Sequence, residues 1–194
     1  GYFADDYFNV DPHFGTNEKL RTLINEAHER GLYVFLDGVF GHHGSTPISS
    51  VTDGDEVGTT GGYVVSYPAS LDFFKNVALY WIDSYEIDGW RFDQAYQLSE
   101  GYSRNYWIDM RQAVETKCAA RKAAGCQWGT LGYMVGEIWR GEYDIKRYGY
   151  GTDSEKGLPS CFDFPMRYSL VQVLAREESN AYTERRASAG VLND

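Results

Sequence analysis

Residues 17–37 read NEKLRTLINEAHERGLYVFLD, and the architecture follows from this stretch. Its first part carries apolar side chains at the spacing of one helical face, which predicts an amphipathic helix that ends at Gly31. The apolar positions of this face are Leu20, Leu23, Ile24 and Ala27. Residues 32–36 are continuously apolar up to Asp37, which predicts a strand buried on both faces. A helix that leads directly into such a strand is the unit of an α/β fold.

The same alternation continues along the chain. An apolar stripe from Ser70 onward predicts a second helix, formed by Leu71, Phe74, Val77, Ala78 and Trp81. Further helices are predicted at residues 104–124 and 165–175, and strands at 89–93, 133–137 and 161–164. A Gly-rich stretch at about 43–67 is predicted as an inserted loop, and residues 140–160 as another loop.

Acidic side chains stand where the predicted strands end, at Asp37, Asp93, Glu137 and Asp163. Enzymes with a (β/α)8 barrel collect their catalytic groups from several strand ends at one face. A Rossmann sheet instead needs a Gly-rich phosphate turn, and the sequence contains neither G-x-G-x-x-G nor a P-loop. We therefore predict an α/β chain that forms part of a (β/α)8 TIM barrel.

The strand-end acids favour chemistry by a pair of carboxyl groups. Arg91 lies two residues before Asp93, so both side chains share one face of a strand, and the guanidinium would keep Asp93 ionised. Apolar neighbours would keep the Glu137 carboxyl protonated. These neighbours are Val135, Ile138 and Trp139. One ionised and one protonated carboxyl are what cleavage of a glycosidic bond requires. The alternative is a structural salt bridge beside a solvated glutamate.

Composition excludes some classes of partner and leaves others open. A formal net charge of −10 gives the chain no electrostatic basis for binding nucleic acid. No stretch reaches the roughly 20 apolar residues of a membrane span, and no secretory leader pattern stands at residue 1. Aromatic residues make up 16% of the chain, which suits either the apolar face of a sugar or an aromatic core. The cellular compartment is left open.

Four segments of the sequence resemble the α-amylase family of glycoside hydrolases, family 13. They are residues 1–16 (GYFADDYFNVDPHFGT), 37–42 (DGVFGH), 89–93 (GWRFD) and 136–139 (GEIW). The four occur in the family's order, and with the helices between them the resemblance covers residues 1 to about 175. It implies that residues 1–194 are a partial catalytic barrel domain, approximately strands 3 to 6 with their helices.

The resemblance implies two catalytic residues. Asp93 matches the nucleophile that forms a covalent glycosyl intermediate, and Glu137 matches the general acid/base. Together they imply retaining cleavage of the α-glucosidic bonds of α-glucans and maltodextrins, by hydrolysis or by transglycosylation to another sugar.

The resemblance also implies four supporting residues. Arg91 matches the arginine that holds the nucleophile, and His42 the histidine that hydrogen-bonds the sugar at the cleavage point. Tyr2 matches the tyrosine that stacks on that sugar. Asp37 matches an acid that orders this network rather than reacting.

The sequence departs from the family pattern in three places. Gly41 stands where many members have an asparagine that ligates a structural calcium ion, so the usual calcium site would lack that ligand. Tyr96 and Gln97 replace a Lys-His pair of typical α-amylases, which argues against an ordinary starch α-amylase. The family's third carboxylate has no counterpart in this sequence. Without it and the remaining strands, we expect these residues alone to be inactive. Their open strand edges predict either self-association or dependence on neighbouring chain that this sequence does not include.

Alternative functions and sites remain open from the sequence. A catalytically inactive carbohydrate-binding or assembly relative would lose the nucleophile or the acid, whereas this chain keeps both. A metal-dependent hydrolase would use His42, Asp37 and Asp93. The glycosidase hypothesis requires no cofactor and leaves a structural calcium ion open. His43 is predicted as a loop histidine, and Asp53-Gly54-Asp55 as a solvated turn. The cysteines are compatible either with a bridge from Cys118 to Cys126, leaving Cys161, or with three buried thiols.

Overall fold

The computed structural model describes residues 2–44, 64–100 and 104–175. Its strands are Phe35–Gly38 (β1), Gly89–Phe92 (β2), Ser99–Glu100 (β3), Arg104–Asn105 (β4), Tyr133–Gly136 (β5) and Ser160–Cys161 (β6). Its α-helices are Asn17–Glu29 (α1), Leu71–Tyr85 (α2), Trp107–Ala123 (α3), Glu142–Asp144 (α4) and Phe164–Leu170 (α5). A 3-10 turn covers Ala95–Gln97, and π-helical turns cover Ile145–Tyr150 and Val171–Ala175.

Helix α1 forms where the sequence predicts it. The hydroxyl of Thr16 accepts a hydrogen bond from the backbone N–H of Lys19 at 3.2 Å and so caps the helix. The buried residues of α1 are Ile24 and His28, whereas Leu23, predicted on the apolar face, is 58% exposed. Successive helical residues are about 100° apart, so Leu23 lies at the edge of the stripe that Ile24 centres.

Four strands form one parallel sheet in the order β1-β2-β5-β6. Strands β3 and β4 form a separate antiparallel pair. In the larger sheet, Gly38 is in register with Phe92, and Phe92 with Gly136. All four strands therefore end at the same edge.

Lateral hydrogen bonding continues one residue beyond the strands. The N–H of Asp93 donates to the carbonyl of Gly38 at 3.1 Å, and the N–H of Glu137 to the carbonyl of Phe92 at 2.8 Å. The N–H of Phe162 donates to Gly136 at 3.0 Å in the same way. This bonding fixes the positions of the residues that follow each strand.

The helices α2 and α3 pack together, and an aromatic core lies between them and the sheet. In α2 the predicted stripe is confirmed, with Phe74, Val77, Ala78 and Trp81 buried and Leu71 half-buried. The ring centroids of Phe92 and Trp107 are 4.4 Å apart.

No helix within the described residues is long and apolar enough to cross a membrane.

A buried hydrogen-bond network around Asp88 connects several elements at the end of the sheet opposite to Asp93. Asp88, which precedes β2, lies 2.9 Å from the Nε2 atom of His28 on α1. Its carboxylate also accepts from the N–H groups of Val34 at 2.9 Å and Gly129 at 3.3 Å. The ring of Trp128 stacks on His28 with centroids 4.0 Å apart.

The first predicted strand is wrong in its bounds and in its burial. It runs over Phe35–Gly38 rather than 32–36, and Phe35 is 40% exposed. Successive strand residues face opposite sides, and the described helices cover only the face of Leu36. Phe35 stacks instead on Tyr133, with ring centroids 5.2 Å apart.

Three other boundaries differ from the sequence predictions. The third helix begins at Trp107, since residues 104–105 pair as β4, and the predicted fourth helix divides into α5 and a π-helical turn. The predicted loop at 140–160 contains α4 and another π-helical turn. Most of the predicted insertion at 43–67, including Asp53-Gly54-Asp55, lies outside the described residues.

Candidate active site

Three carboxylates meet at the carboxyl edge of the parallel sheet. Asp37 is the third residue of β1, Asp93 directly follows β2, and Glu137 directly follows β5. The sheet register places Arg91 of β2 opposite Asp37. Because these strands are neighbours, the predicted strand-end residues come together in space.

Arg91 joins all three carboxylates. Its Nη1 atom lies 2.7 Å from the Oδ1 atom of Asp37 and 3.0 Å from the Oδ1 atom of Asp93. Its Nη2 atom lies 2.7 Å from the Oε1 atom of Glu137. Burial alone would lower the pKa of Arg91, but the three acids together raise it above its usual value. The guanidinium is therefore a fixed cation shared by the acids.

Asp93 is the most buried of these acids, with 6% of its surface exposed. Its Oδ1 atom contacts Arg91, and its Oδ2 atom lies 3.9 Å from the Nε2 atom of His42. The predicted face-sharing of Arg91 and Asp93 is confirmed by their contact.

The surroundings of the Glu137 carboxylate are polar, contrary to the apolar setting that its sequence neighbours predicted. Besides Arg91, the indole N–H of Trp139 donates to Oε1 at 3.0 Å, and the N–H of Gln94 donates to Oε2 at 3.4 Å. The apolar neighbour Ile138 is fully buried, so it points into the core rather than toward the carboxylate. Of these neighbours, Ile138 thus faces away from the carboxylate, whereas Trp139 contacts it through its indole N–H.

His42 is buried beside the acids. Its Nδ1 atom lies 3.0 Å from the Oε1 atom of Gln97, and the ring centroid of Phe3 is 5.5 Å from its own. The hydroxyl of Tyr7 donates to the carbonyl of His42 at 3.2 Å. Burial, the larger effect, and Asp5 raise the pKa of Tyr7, which keeps this hydroxyl a donor.

Tyr2 is the predicted site residue that the structure does not join to this cluster. Its side chain is 52% exposed, and the described residues show no hydrogen bond or ring contact between Tyr2 and the acids. Its chain neighbour Phe3 is the residue that contacts His42.

Asp163, the fourth predicted strand-end acid, has a local structural contact. Its Oδ1 atom accepts from the N–H of Met166 at 2.9 Å, which caps α5. Asp163 lines a cleft of about 380 Å³ together with Glu137 of the acid cluster. The cleft is lined by Glu137, Trp139, Phe162, Asp163, Phe164 and Arg167.

Comparisons with known proteins point to one family. A model of the α-amylase catalytic domain matches residues 1–56. The intracellular maltogenic amylase of Bacillus subtilis (strain 168) is 32% identical over 165 residues, which cover 71% of this chain and 26% of that protein. The crystal structure of AmyP in complex with maltose superposes with a TM-score of 0.74 at 43% identity, covering 89% of this chain and 34% of AmyP.

The chain belongs to the α-amylase family.

A cyclomaltodextrinase of Geobacillus thermopakistaniensis (strain MAS1) is 27% identical over 210 residues, covering 93% of this chain and 32% of that protein. The chain thus spans about a quarter to a third of the length of these relatives. With its four parallel strands, this α-amylase family chain is part of a (β/α)8 barrel, as the sequence predicted.

Three residues of this α-amylase family chain contact the site without having been predicted from the sequence. Gln94 adopts a left-handed backbone conformation, φ 41°, that aims its N–H at Glu137. Trp139, an apolar neighbour of Glu137 in the sequence, contacts the carboxylate because its indole carries a donor. Gln97, a departure from the family pattern, contacts His42 through its amide. The only available signal was the position of each residue shortly after a strand-end acid.

The described residues hold no group of three or more His, Cys, Asp or Glu side chains arranged to bind a metal ion. At Gly41, where many family members carry a calcium-ligating asparagine, the side-chain space is filled by Gln97. The described part of the site therefore does not fit that calcium ligand. His43, predicted as a loop histidine, is completely buried.

The three cysteines are free thiols. Burial raises the pKa of Cys118 to about 11 and that of Cys161 to about 12, so both stay protonated near neutral pH. The structure thus shows thiols rather than a bridge, but only Cys118 is buried, whereas Cys126 and Cys161 are half-buried.

Proposed function

We propose that the protein containing this chain is a retaining glycoside hydrolase or transglycosylase that acts on the α-glucosidic bonds of α-glucans and maltodextrins. The observation that supports this most is the single guanidinium of Arg91, which holds Asp93 and Glu137 on neighbouring strands. Family membership supports the substrate class, because the relatives are named maltogenic amylase and cyclomaltodextrinase and AmyP was solved with maltose.

In the first step, Asp93 is the nucleophile. A carboxylate oxygen attacks the anomeric carbon, while Glu137 donates a proton to the departing glycosidic oxygen. Contact with Arg91 holds the Asp93 carboxylate in place for this attack.

In the second step, Glu137 acts as the base. Its carboxylate takes a proton from water or from a sugar hydroxyl, whose oxygen then displaces Asp93 from the anomeric carbon. Water gives hydrolysis and a sugar hydroxyl gives transglycosylation. The N–H groups of Trp139 and Gln94 hold the Glu137 carboxylate in one orientation for both steps.

The supporting residues act on the sugar and on the network. His42, 3.9 Å from Asp93, binds a hydroxyl of the sugar at the cleavage point, and Tyr2 stacks on its ring. The side chain of Tyr2 is 52% exposed, which supports its contact with a ligand. Asp37 holds Arg91 from the side opposite to Glu137 and does not react.

The proposed reaction requires no cofactor, because both proton transfer and covalent catalysis are assigned to carboxyl groups of this chain. The misfit between Gly41 and a calcium ligand supports the same proposal for metals. Dialysis of the complete protein against EDTA should leave its activity unchanged, whereas loss that calcium restores would contradict this part.

The assignment of Asp93 and Glu137 is tested by Asp93→Asn and Glu137→Gln in the complete protein. Each change keeps the shape of the side chain and removes its reactive oxygen or proton, so we expect kcat on maltoheptaose to fall by roughly 10³-fold or more. The matched controls are Asp153→Asn and Glu155→Gln, at exposed carboxylates far along the chain.

Near-normal turnover in either active-site variant, with the controls also active, would overturn the assignment. If the unaltered protein cleaves none of maltoheptaose, pullulan, sucrose, trehalose and cyclodextrin but binds maltoheptaose, the result favours the inactive carbohydrate-binding relative.

A further inference from the structure

Gly41 and Gln97 compete for one space beside His42. A Cβ atom placed on Gly41 would lie 2.1 Å from the Oε1 atom of Gln97 and 2.4 Å from its Cβ atom. The second distance matters more, because the Cβ of Gln97 is anchored to the backbone and cannot swing away. Gly41 has no left-handed backbone conformation, so its requirement for glycine is one of space alone.

The amide of Gln97 fixes the proton on the imidazole of His42. The Nδ1 and Oε1 atoms are 3.0 Å apart, and a carbonyl oxygen only accepts. Nδ1 therefore carries the hydrogen. In the neutral ring Nε2 is then an acceptor, and it faces Asp93 at 3.9 Å and the place of the proposed sugar.

Other contacts hold the backbone of His42 and leave only its ring to be oriented. Tyr7 donates to the carbonyl of His42, and His42 forms an isolated β-bridge with Val64. The carbonyl of Gly41 accepts from the N–H of Val65 at 3.0 Å. Rotation about the side chain of His42 is the remaining freedom, and Gln97 contacts that side chain directly.

Gln97 is itself held in a short, well-bonded turn. Its N–H donates to the carbonyl of Gln94 at 2.9 Å, and the N–H of Ala95 donates to the carbonyl of Glu137 at 2.7 Å. The indole of Trp107 donates to the carbonyl of Ala95 at 2.7 Å. The amide that orients His42 is thus fixed relative to both Asp93 and Glu137.

We propose that Gln97 is a positioning residue that sets the orientation and the protonated nitrogen of His42, and that glycine at position 41 makes room for it. Within the described site, a protein amide takes the space that a metal-ligating side chain at position 41 would need. This inference deepens the proposed function, since His42 is the residue proposed to bind the sugar. Which nitrogen of the His42 ring carries the hydrogen can be measured without an activity assay.

The direct test is ¹⁵N NMR of the histidine rings in the complete protein, with the signals of His42 assigned from their loss in His42→Asn. Above the range in which the ring is protonated, we expect the neutral form with hydrogen on Nδ1. Gln97→Leu removes the acceptor at similar volume and should shift His42 toward the form with hydrogen on Nε2. Gln97→Glu keeps an acceptor at the same reach and should retain hydrogen on Nδ1.

Hydrogen on Nε2 in the unaltered protein would overturn the proposal, as would an unchanged His42 spectrum in Gln97→Leu. Gln112→Leu, at an exposed glutamine of α3, is the matched control and should leave the His42 signals in place.

The steric half of the proposal is tested by a double-mutant cycle on kcat/KM for maltoheptaose. Gln97→Leu should lower kcat/KM about tenfold, as expected for the loss of one ordered hydrogen bond, and Gln97→Glu should restore most of it. Gly41→Ala should cost at least as much alone. In a Gln97→Ala background, however, the same Gly41→Ala change should cost less than about threefold, because the obstructing side chain is gone.

If Gly41→Ala lowers kcat/KM by the same factor in both backgrounds, the result contradicts the proposal that a side chain at position 41 and Gln97 compete for one space. Gly141→Ala is the matched control, since a Cβ at Gly141 meets no atom within 4 Å, and it should leave kcat/KM unchanged. If the unaltered protein shows no glycosidase activity, the proposed function is wrong. The ¹⁵N NMR comparison would then still show whether Gln97 sets the protonated nitrogen of His42.

Discussion

Arg91 shows how much one side chain contributes to this site. A planar guanidinium presents several donors in fixed directions, which lets it contact Asp37, Asp93 and Glu137 at distances of 2.7–3.0 Å. An ammonium group is a single point of charge and cannot reach three acids with the same geometry.

We therefore expect Arg91→Lys to lower kcat by about 10²-fold, the size of effect that a misplacement of catalytic groups by about 1 Å produces. The charge is kept, so the loss reports geometry. Arg30→Lys, at an exposed ion pair with Glu26 on α1, is the control and should leave kcat unchanged. Steady-state kinetics on maltoheptaose gives kcat for both variants. An Arg91→Lys variant with normal kcat would show that the site does not need the planar geometry of the guanidinium.

At the scale of elements, Asp88 connects parts of the fold that are distant in sequence. It accepts hydrogen bonds from α1, from the residue before β1 and from the segment before β5. All of these contacts lie at the end of the sheet away from Asp93.

Asp88→Ala should lower the free energy of unfolding by about 3 kcal/mol, because it leaves His28 and two N–H groups without their buried acceptor. Activity per folded molecule should change little. Asp83→Ala is the control, since Asp83 is itself half-exposed and its ion pairs with Lys117 and Arg121 contribute about 1 kcal/mol or less. Denaturant unfolding compares them, and equal destabilisation by the two changes would contradict the argument.

Helices, strands and strand-end residues were predicted correctly where a single feature of the sequence determined them. The stripe of α2 and the strand-end positions of Asp37, Asp93 and Glu137 followed from periodicity and from the common edge of parallel strands. Burial of Phe35 and the apolar setting of Glu137 were predicted wrongly, because both depend on which neighbours face the side chain. The left-handed turn at Gln94 had no sequence signal, since glutamine does not favour that conformation.

At the scale of the whole molecule, the described sheet leaves apolar surface uncovered. Strands β1 and β6 are its edges, and the rings of Phe35 and Tyr133 stack on a face where they remain 40% and 37% exposed. Tyr33 and Leu131, each two residues before one of these rings, are also exposed, at 60% and 48%. Unpaired strand edges beside such a face favour association.

We expect residues 1–194, purified alone, to self-associate and to release no reducing sugar from maltodextrin. The family's transition-state-stabilising aspartate has no counterpart in this sequence, and stabilisation of developing charge is where most of the rate arises. Light scattering coupled to size-exclusion chromatography gives the oligomeric state. A monodisperse monomer with turnover comparable to that of the complete protein would contradict both expectations.

The continued hydrogen bonding past the strand ends has a stereochemical consequence. Asp93 and Glu137 follow paired residues on adjacent strands, and adjacent strands lie about 4.8 Å apart. Double displacement needs carboxyl groups about 5–5.5 Å apart, whereas direct displacement by water needs a gap of about 6.5–9.5 Å. Since the proposed nucleophile and the proposed acid follow neighbouring strands, we expect the shorter carboxyl separation and therefore an unchanged anomeric configuration in the product.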